Sequence, residues 1–245
     1  MLYAILNGEK IEAVPNTHAK CQLCERDVFS KCGEIKVWHW AHKADKSCDG
    51  WYEPETEWHK HWKLIFGKEN SEIRIEKDGV KHIADIFTKN DVVIELQNSP
   101  IQKPIIRRRE QFYGEKMLWV INGLRFKENF QIYEELQNKD WLDDYILSSS
   151  GWIDKQTGNP VRISDVQKSV VQKQKQTKFS WSRSRRSWED AIRPIFIDFG
   201  DEDLFWAKSG LRTNFGTGKK ISKEKFIEKY GGDVNLLPSV IKKMP

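Results

Sequence analysis

The sequence predicts a mixed α/β fold with one main domain and smaller appendages. Apolar segments with the alternation of strands recur between residues 71 and 122, and segments with helical periodicity lie among them. From Pro54 to Asn122 the predicted order is helix, hairpin, strand, helix, strand, which is typical of a mixed sheet. Of the 245 residues, 38% are hydrophobic and 31% are charged, so the chain has enough apolar surface for a core.

Two β hairpins and the helix between them are predicted from turn residues and proline. Asn7-Gly8 and Asp78-Gly79 each separate two runs of alternating apolar residues, a sequence that favours a type I′ turn. A helix is expected to begin near Pro54, because proline is well tolerated in a first helical turn.

The helix after Pro54 is predicted to turn two polar side chains inward. At ~100° per residue its apolar face consists of Trp58, Trp62, Ile65 and Phe66. Glu55 and His59 fall on or beside this face, whereas Glu57 points to solvent.

Two predicted strands each carry a carboxylate among apolar residues. Alternation places Glu95 and Gln97 on one face of the strand within residues 91–97, and Asp85 lies in the strand before it. A buried carboxylate is costly unless it is paired, hydrogen-bonded or bound to a metal. Together with Glu55 these carboxylates can converge at one end of the sheet, where their oxygens suit a hard cation such as Mg²⁺ or Mn²⁺. Paired surface acids remain the alternative interpretation.

The rest of the chain predicts a helix after Pro104, an apolar strand at residues 117–122 and further elements near the C-terminus. Residues 193–209 suggest another hairpin. A short helix follows, with Ser222 as its N-cap and Gly231 just past its end.

A basic tract precedes these last elements. Between Gln167 and Arg186 the chain has seven Lys or Arg and no acid, and Phe179, Trp181 and Trp188 lie in or near the tract. The composition suits a phosphate backbone, with aromatic rings as stacking faces, and it equally suits a solvated linker.

The cysteines predict a structural zinc site. Cys21 and Cys24 form C-x₂-C, and His39, His42 and Cys48 follow. Tetrahedral zinc takes four such ligands, so one of the five is surplus. If the histidines lie on a strand, they point to opposite faces; Cys21, Cys24, His42 and Cys48 are therefore favoured, with His39 as the rival. Free cysteines in a small hydrophobic cluster are the alternative.

The charge and the hydropathy of the chain limit the classes of protein to which it can belong. The net charge of +5 and the pI near 8.9 lean only weakly toward an anionic partner. No segment approaches the ~20 apolar residues of a membrane span, and the first residues do not have the pattern of a secretory signal. We expect a cytoplasmic protein without a membrane partner.

Four segments resemble a known family: "PETEWHKHWK", "HIADI", "IELQNSPI" and "RREQFYGEKMLWVIN" look like the competence protein CoiA-like nucleases, a branch of the PD-(D/E)xK phosphodiesterase superfamily. The resemblance covers roughly residues 21–122 and includes the order and spacing of the motifs. It implies a restriction-endonuclease-like mixed sheet flanked by helices.

The resemblance also implies roles for individual residues. Asp85 and Glu95 would be the metal ligands, and Gln97 stands where the wider superfamily has lysine. A glutamine can orient a water or a phosphate oxygen but cannot supply positive charge.

Other residues extend these implied roles. Glu55, Thr56, His59 and Lys63 match the helix motif of the family. Lys63 or Arg109 can compensate for the missing lysine, and both are candidates for contact with the nucleic-acid backbone.

The predicted function is a metal-dependent DNA endonuclease or exonuclease with a catalytic Mg²⁺ or Mn²⁺ and a structural Zn²⁺. By resemblance it acts in DNA uptake, recombination or defence against foreign DNA. The alternative is a non-catalytic zinc-containing adaptor that binds nucleic acid. The predicted organisation is a zinc-binding β module at 1–52, a nuclease core at 53–150, and a basic linker with a small C-terminal β-rich appendage at 151–245. This appendage is a possible surface for a protein partner.

Overall fold

The computed structural model describes residues 1–43, 48–51, 53–133, 145–148, 151–162, 177–182, 186–211 and 214–237. It confirms the mixed α/β fold, with a large mixed sheet and few helices. No helix in these ranges is long and apolar enough to cross a membrane.

The N-terminal residues form a five-stranded antiparallel sheet with the strand order β2-β1-β3-β4-β5. Its strands are β1 (Tyr3–Leu6), β2 (Glu9–Glu12), β3 (His18–Lys20), β4 (Asp27–Lys31) and β5 (His39–His42). The turn between β1 and β2 has the predicted type I′ character, because Asn7 and Gly8 both have positive φ, 52° and 85°.

The central sheet has nine strands in the order β10-β14-β17-β16-β15-β9-β8-β7-β6. β9 is parallel to both of its neighbours, β8 and β15, and the other pairs are antiparallel. The strands are β6 (Ser71–Lys77), β7 (Val80–Phe87), β8 (Val93–Gln97), β9 (Met117–Asn122), β10 (Phe130–Tyr133), β14 (Thr177–Trp181), β15 (Ile195–Asp198), β16 (Asp203–Ala207) and β17 (Phe215–Ser222).

The described residues also contain three α-helices and several short elements. The helices are α1 (Glu57–Phe66), α2 (Lys103–Tyr113) and α3 (Lys223–Tyr230). A three-stranded sheet is formed by β11 (Tyr145–Ser148), β12 (Gly151–Asp154) and β13 (Pro160–Val161). Short 3₁₀ helices span Leu124–Asn129, Arg186–Asp190 and Val234–Leu236.

Helix boundaries follow their capping residues. α3 is confirmed in full: Ser222 Oγ accepts from the backbone N–H of Lys225, and Gly231 ends the helix in the left-handed conformation. α1 begins later than expected, because Thr56 is its N-cap and accepts a hydrogen bond from the backbone N–H of His59. Pro54 and Glu55 therefore lie before the helix and not in its first turn.

The central sheet is buried on both faces, and the alternation of β8 assigns its side chains to two cores. Val93 belongs to the core that contains Ile106 of α2. Ile94 and Leu96 belong to the opposite core, with Trp62 of α1 and residues of α3. The central strands therefore have helices on both sides.

The C-terminal strands differ from the expected separate appendage. β15, β16 and β17 continue the central sheet, and Ile195 of β15 is the register partner of Trp119 in β9. The reason lies in β9, whose six residues are all buried and which therefore needs a strand on each edge.

The aromatic residues of the basic tract lie in the core. Most of the tract falls outside the described residues, but Phe179 and Trp181 of β14 and the nearby Trp188 are each only 1% exposed. They pack in the core of the sheet, so the structure corrects the interpretation of these rings as stacking faces for nucleic acid.

A buried charge joins α1 to the C-terminal part of the chain. Asp198 at the end of β15 accepts hydrogen bonds from Nε1 of Trp58 at 2.9 Å and Nε1 of Trp62 at 3.0 Å. Its other oxygen lies 2.6 Å from Nζ of Lys223, and both charged side chains are 1% exposed. Through these contacts Asp198 connects α1, β15 and α3.

Replacing this carboxylate is expected to destabilise the whole fold. Asp198→Ala leaves the Lys223 ammonium buried without its partner, which costs about 3–5 kcal/mol of unfolding free energy. Urea denaturation measures the loss. Asp201→Ala is the matched control, because Asp201 is 57% exposed and 3.9 Å from an exposed Lys127; it should change stability by less than about 0.5 kcal/mol. Equal losses in the two variants would contradict the assignment.

Candidate metal centres

A cavity of about 250 Å³ lies between the N-terminal sheet and the core. Its lining includes Trp40 and His42 of β5 as well as residues of α1, β6, β7, β8 and α2. The ionisable side chains in its wall are strongly unbalanced, since among the described residues six carboxyl groups accompany two side chains of Lys or Arg. The carboxylates are Asp49, Glu53, Glu55, Glu72, Asp85 and Glu95, and the cations are Lys63 and Arg109.

The β7–β8 ladder opens beside this cavity. In the backbone ladder Phe87 pairs with Val93 and Ile86 pairs with Ile94. Beyond these pairs, hydrogen bonds to carboxylate side chains take the place of backbone pairing. The carboxylate of Asp85 accepts from the backbone N–H of Leu96 at 3.0 Å. The two strands therefore separate at the first residues after their ladder, where the carboxylates of Asp85 and Glu95 lie.

Lys63 of α1 is buried among three carboxylates. Its Nζ lies 2.6 Å from Glu55, 2.9 Å from Glu72 and 3.3 Å from Asp85. Burial acts to lower the pKa of Lys63, but the three negative neighbours outweigh it and hold the pKa above its usual value. Burial raises the pKa of Glu55 despite the charge of Lys63. Asp85, whose side chain is 23% exposed, is the most accessible member of this group.

Glu72 connects the N-terminal sheet to this group. Its two carboxylate oxygens accept from the backbone N–H groups of Leu2 at 2.7 Å and Tyr3 at 2.9 Å. Glu72 has φ 50°, a left-handed conformation that is costly for a residue other than glycine within a strand. Although burial acts to raise the pKa of Glu72, Lys63 and these hydrogen bonds hold it well below its usual range.

Arg109 of α2 holds Glu95. Its Nη1 donates to Oε2 of Glu95 at 2.8 Å, and its Nη2 donates to the backbone oxygen of Trp51. Burial raises the pKa of Glu95 to about 7, even though the Arg109 guanidinium and the hydrogen bond from the Asp85 N–H favour the carboxylate.

Gln97 was expected beside Glu95, where it would orient a water or a phosphate oxygen. In the structure its side-chain amide contacts Glu53 and Ser99 instead. Its Nε2 donates to Glu53 at 3.1 Å and to the backbone oxygen of Ser99 at 3.0 Å, and Gln97 does not line the cavity. Glu53 also accepts from the backbone N–H groups of Asn98 and Ser99. In this arrangement Gln97 and Glu53 fix the chain after β8.

His59 lies in the cavity wall and is 2% exposed. Its Nδ1 is 2.8 Å from Oγ1 of Thr56, and its Nε2 is 3.6 Å from Glu53. These contacts fix the orientation of the ring, with Nε2 directed to Glu53.

The predicted nucleic-acid contacts of Lys63 and Arg109 do not agree with their environment. Lys63 is 1% and Arg109 6% exposed, and both are paired with carboxylates of the cavity. They balance charge inside the protein because a buried cation needs its anionic partners there.

A second cluster lies next to the cavity. Ligand atoms of Cys21, Cys24, His42 and Cys48 all lie within 4.8 Å of one another. The Sγ atoms of Cys21 and Cys48 are 3.5 Å apart, and Sγ of Cys24 is 3.2 Å from Nε2 of His42. Four ligands on a tetrahedron with Zn–S distances of ~2.3 Å are separated by roughly 3.7 Å, so the set fits zinc.

The three thiols of this group differ in the direction of their pKa shifts. Burial, and then the neighbouring Cys21, raise the pKa of Cys48. Burial raises the pKa of Cys21. Burial also acts to raise that of Cys24, but hydrogen bonds from Arg26 and with His42 outweigh it and lower this pKa to about 6. His39 is outside the cluster, with its Nδ1 2.8 Å from the backbone oxygen of Val37.

Three carboxylates of the cavity were missed from the sequence. Glu53 and Asp49 lie in the segment between the N-terminal sheet and α1, and Glu72 belongs to an alternating strand in which acids are ordinary. The oxygens of Asp49 accept from the Ile83 N–H at 3.0 Å and lie 2.9 Å from Nδ1 of His82. The position of Asp49, next to the predicted ligand Cys48, was the only available indication for this residue.

A comparison with known protein families finds a match in the N-terminal segment. Residues 5–50 match the family described as "Competence protein CoiA, N-terminal domain". This range contains the whole Cys₃His group and covers less than half of the chain. No curated protein and no solved structure matches the chain. The family resemblance is thus supported by the N-terminal match, and the nuclease superfamily stays a prediction.

We expect the purified protein to bind one zinc ion per chain through the Cys₃His group. Cys24→Ser and His42→Ala remove ligands and should strongly reduce the bound zinc, measured by release to a chromogenic chelator. The matched controls are Cys32→Ser and His39→Ala, which change the same residue types outside the group and should keep the parent stoichiometry. Zinc loss in the controls would contradict the ligand set.

The titration of Glu95 is expected to depend on Arg109. Arg109→Gln removes the positive charge that favours the carboxylate, so the pKa of Glu95 should rise above its value of about 7. Carboxyl ¹³C NMR of the metal-free site over a pH series measures the shift, with Glu95→Gln to assign the resonance. Arg108→Gln on the exposed side of α2 is the control and should leave the pKa of Glu95 unchanged. An equal pKa in the parent and Arg109→Gln proteins would contradict the pairing.

Proposed function

We propose that the protein is a metal-dependent nuclease that hydrolyses DNA phosphodiester bonds, with a role in competence-related DNA processing. The observation that carries the proposal is the convergence of Asp85 and Glu95 where the β7–β8 ladder opens into a cavity. The family match at residues 5–50 supports the competence-related part.

The carboxylates of the cavity are the type of donor that a hard divalent cation takes, which supports the proposal. Asp85 and Glu95 provide carboxylate oxygens, which suit Mg²⁺ or Mn²⁺, and Asp85 is partly accessible. The excess of carboxylates over cations in the wall is also favourable for a positive ion. A bound ion would supply an activated water and offset negative charge on the phosphate.

The surrounding residues keep these two carboxylates in place. Lys63 limits the repulsion among Asp85, Glu55 and Glu72, and Arg109 orients Glu95. We assign Lys63 and Arg109 to positioning of the carboxylates.

One observation favours the adaptor as the second candidate function. Lys63 and Arg109 already pair with the carboxylates, and a closed ion-pair network of this kind can be purely structural. An adaptor would bind nucleic acid without a need for Mg²⁺, so metal binding separates the two candidates.

Asp85→Asn and Glu95→Gln are expected to lose both divalent-metal binding and DNA cleavage. Each change removes one charge and keeps the shape of the side chain, so Mn²⁺ affinity measured by calorimetry should fall at least tenfold, about 1.4 kcal/mol. Cleavage of linear and circular, single- and double-stranded DNA and of RNA is followed with Mg²⁺ or Mn²⁺ added or omitted.

Asp91→Asn is the matched control for both measurements. Asp91 lies just before β8, is 70% exposed and pairs only loosely with Lys116 at 3.6 Å. Its variant should bind Mn²⁺ and cut DNA like the parent. If Asp85→Asn and Glu95→Gln bind Mn²⁺ as the parent does, the proposed metal site is wrong, and retention of DNA without cleavage would favour the adaptor.

A further inference from the structure

A second cavity lies on the outer part of the N-terminal sheet, next to the zinc group. It has a volume of about 400 Å³ and is lined by residues of the β2–β3 turn and of β3, β4 and β5. His42 lines both this cavity and the one that contains Asp85 and Glu95. The two cavities therefore adjoin at a predicted zinc ligand.

The walls of the two cavities have opposite charge. The second cavity contains Lys31 and Lys43, together with His18, and no Asp or Glu lines it among the residues that the structure describes. Both lysines are exposed, and among the described residues no carboxylate of the cavity lining pairs with either of them. Their positive charge is therefore available to an anion from solvent.

An aromatic ring belongs to the same lining as these cations. The Phe29 ring is partly exposed and has the Lys43 ammonium 5.9 Å from its centroid. The His18 ring meets it edge-on, with 4.4 Å between the centroids. Cations that follow a backbone, combined with an aromatic face for a base, are the usual elements of a single-strand binding groove.

We propose that the second cavity, a groove lined by Lys31 and Lys43, binds the sugar-phosphate backbone of a single DNA strand and leads it past His42 to the carboxylate cavity. The inference deepens the proposed function and rests on it for the direction of the strand. A single strand is favoured over a duplex because a ring within a groove can stack only with a base that is not already stacked and paired.

The test is a binding measurement with Lys31→Ala/Lys43→Ala. A fluorescently labelled single-stranded DNA oligonucleotide is titrated with the zinc-loaded protein, with Ca²⁺ in place of Mg²⁺, and gels verify that the DNA stays intact. The double variant should bind roughly tenfold more weakly, and the slope of log K against log salt should fall by about 1.4, or ~0.7 for each lost phosphate contact.

Two control variants separate the groove from net charge. Lys89→Ala/Lys225→Ala removes two exposed lysines that lie outside the N-terminal sheet. This variant should bind DNA nearly as the parent does. Lys31→Arg/Lys43→Arg keeps the charge and should retain most of the affinity. Zinc content and thermal unfolding of each variant establish that the module is folded.

The proposal is overturned if Lys31→Ala/Lys43→Ala binds with the parent affinity and salt slope, or if the Lys89/Lys225 control loses as much. Tighter binding of a duplex or of RNA through the same two lysines would overturn the choice of single-stranded DNA. A cleavage assay on the same variants distinguishes failure of the groove proposal from failure of the proposed nuclease function. DNA cutting without dependence on the lysines rejects the groove alone, whereas lysine-dependent binding without any cutting rejects the nuclease alone.

Discussion

The burial of Lys63 is the constraint on which the candidate site depends. A desolvated ammonium requires anions around it, and three separate parts of the chain supply them: the segment before α1, β6 and β7. Satisfying one cation therefore fixes the relative positions of these elements. It also brings Asp85 to the edge of the cavity while Glu72, another member of the group, binds the first strand of the N-terminal sheet.

The two candidate metal centres are connected through a short stretch of backbone. Cys48 belongs to the Cys₃His group, Asp49 contacts His82 and Ile83 of β7, and the Trp51 carbonyl accepts from Arg109, which holds Glu95. The Trp51 ring also stacks on His82 with 3.2 Å between centroids. Order in the Cys₃His group thus bears directly on the geometry of Glu95.

Much of the fold could be predicted from local sequence. The Asn7-Gly8 turn and the Ser222 and Gly231 caps depend on neighbouring residues, and the alternation of β8 follows from its pleat. The place of β15 beside β9 could not be predicted, because parallel pairing across the sequence has no local pattern. The burial of Lys63 was also missed, since lysine is rarely buried and its three partners come from distant positions.

The parallel pairing of β9 with β15 has a consequence for how the chain folds. Trp119 and Ile195 are register partners far apart in sequence, so the central sheet has a high contact order. During synthesis β9 leaves the ribosome before β15 has been made. One edge of this apolar strand therefore has no partner until then. We therefore expect the nascent chain to be exposed to mispairing and aggregation until residues 195–222, which contain β15, β16 and β17, have been made.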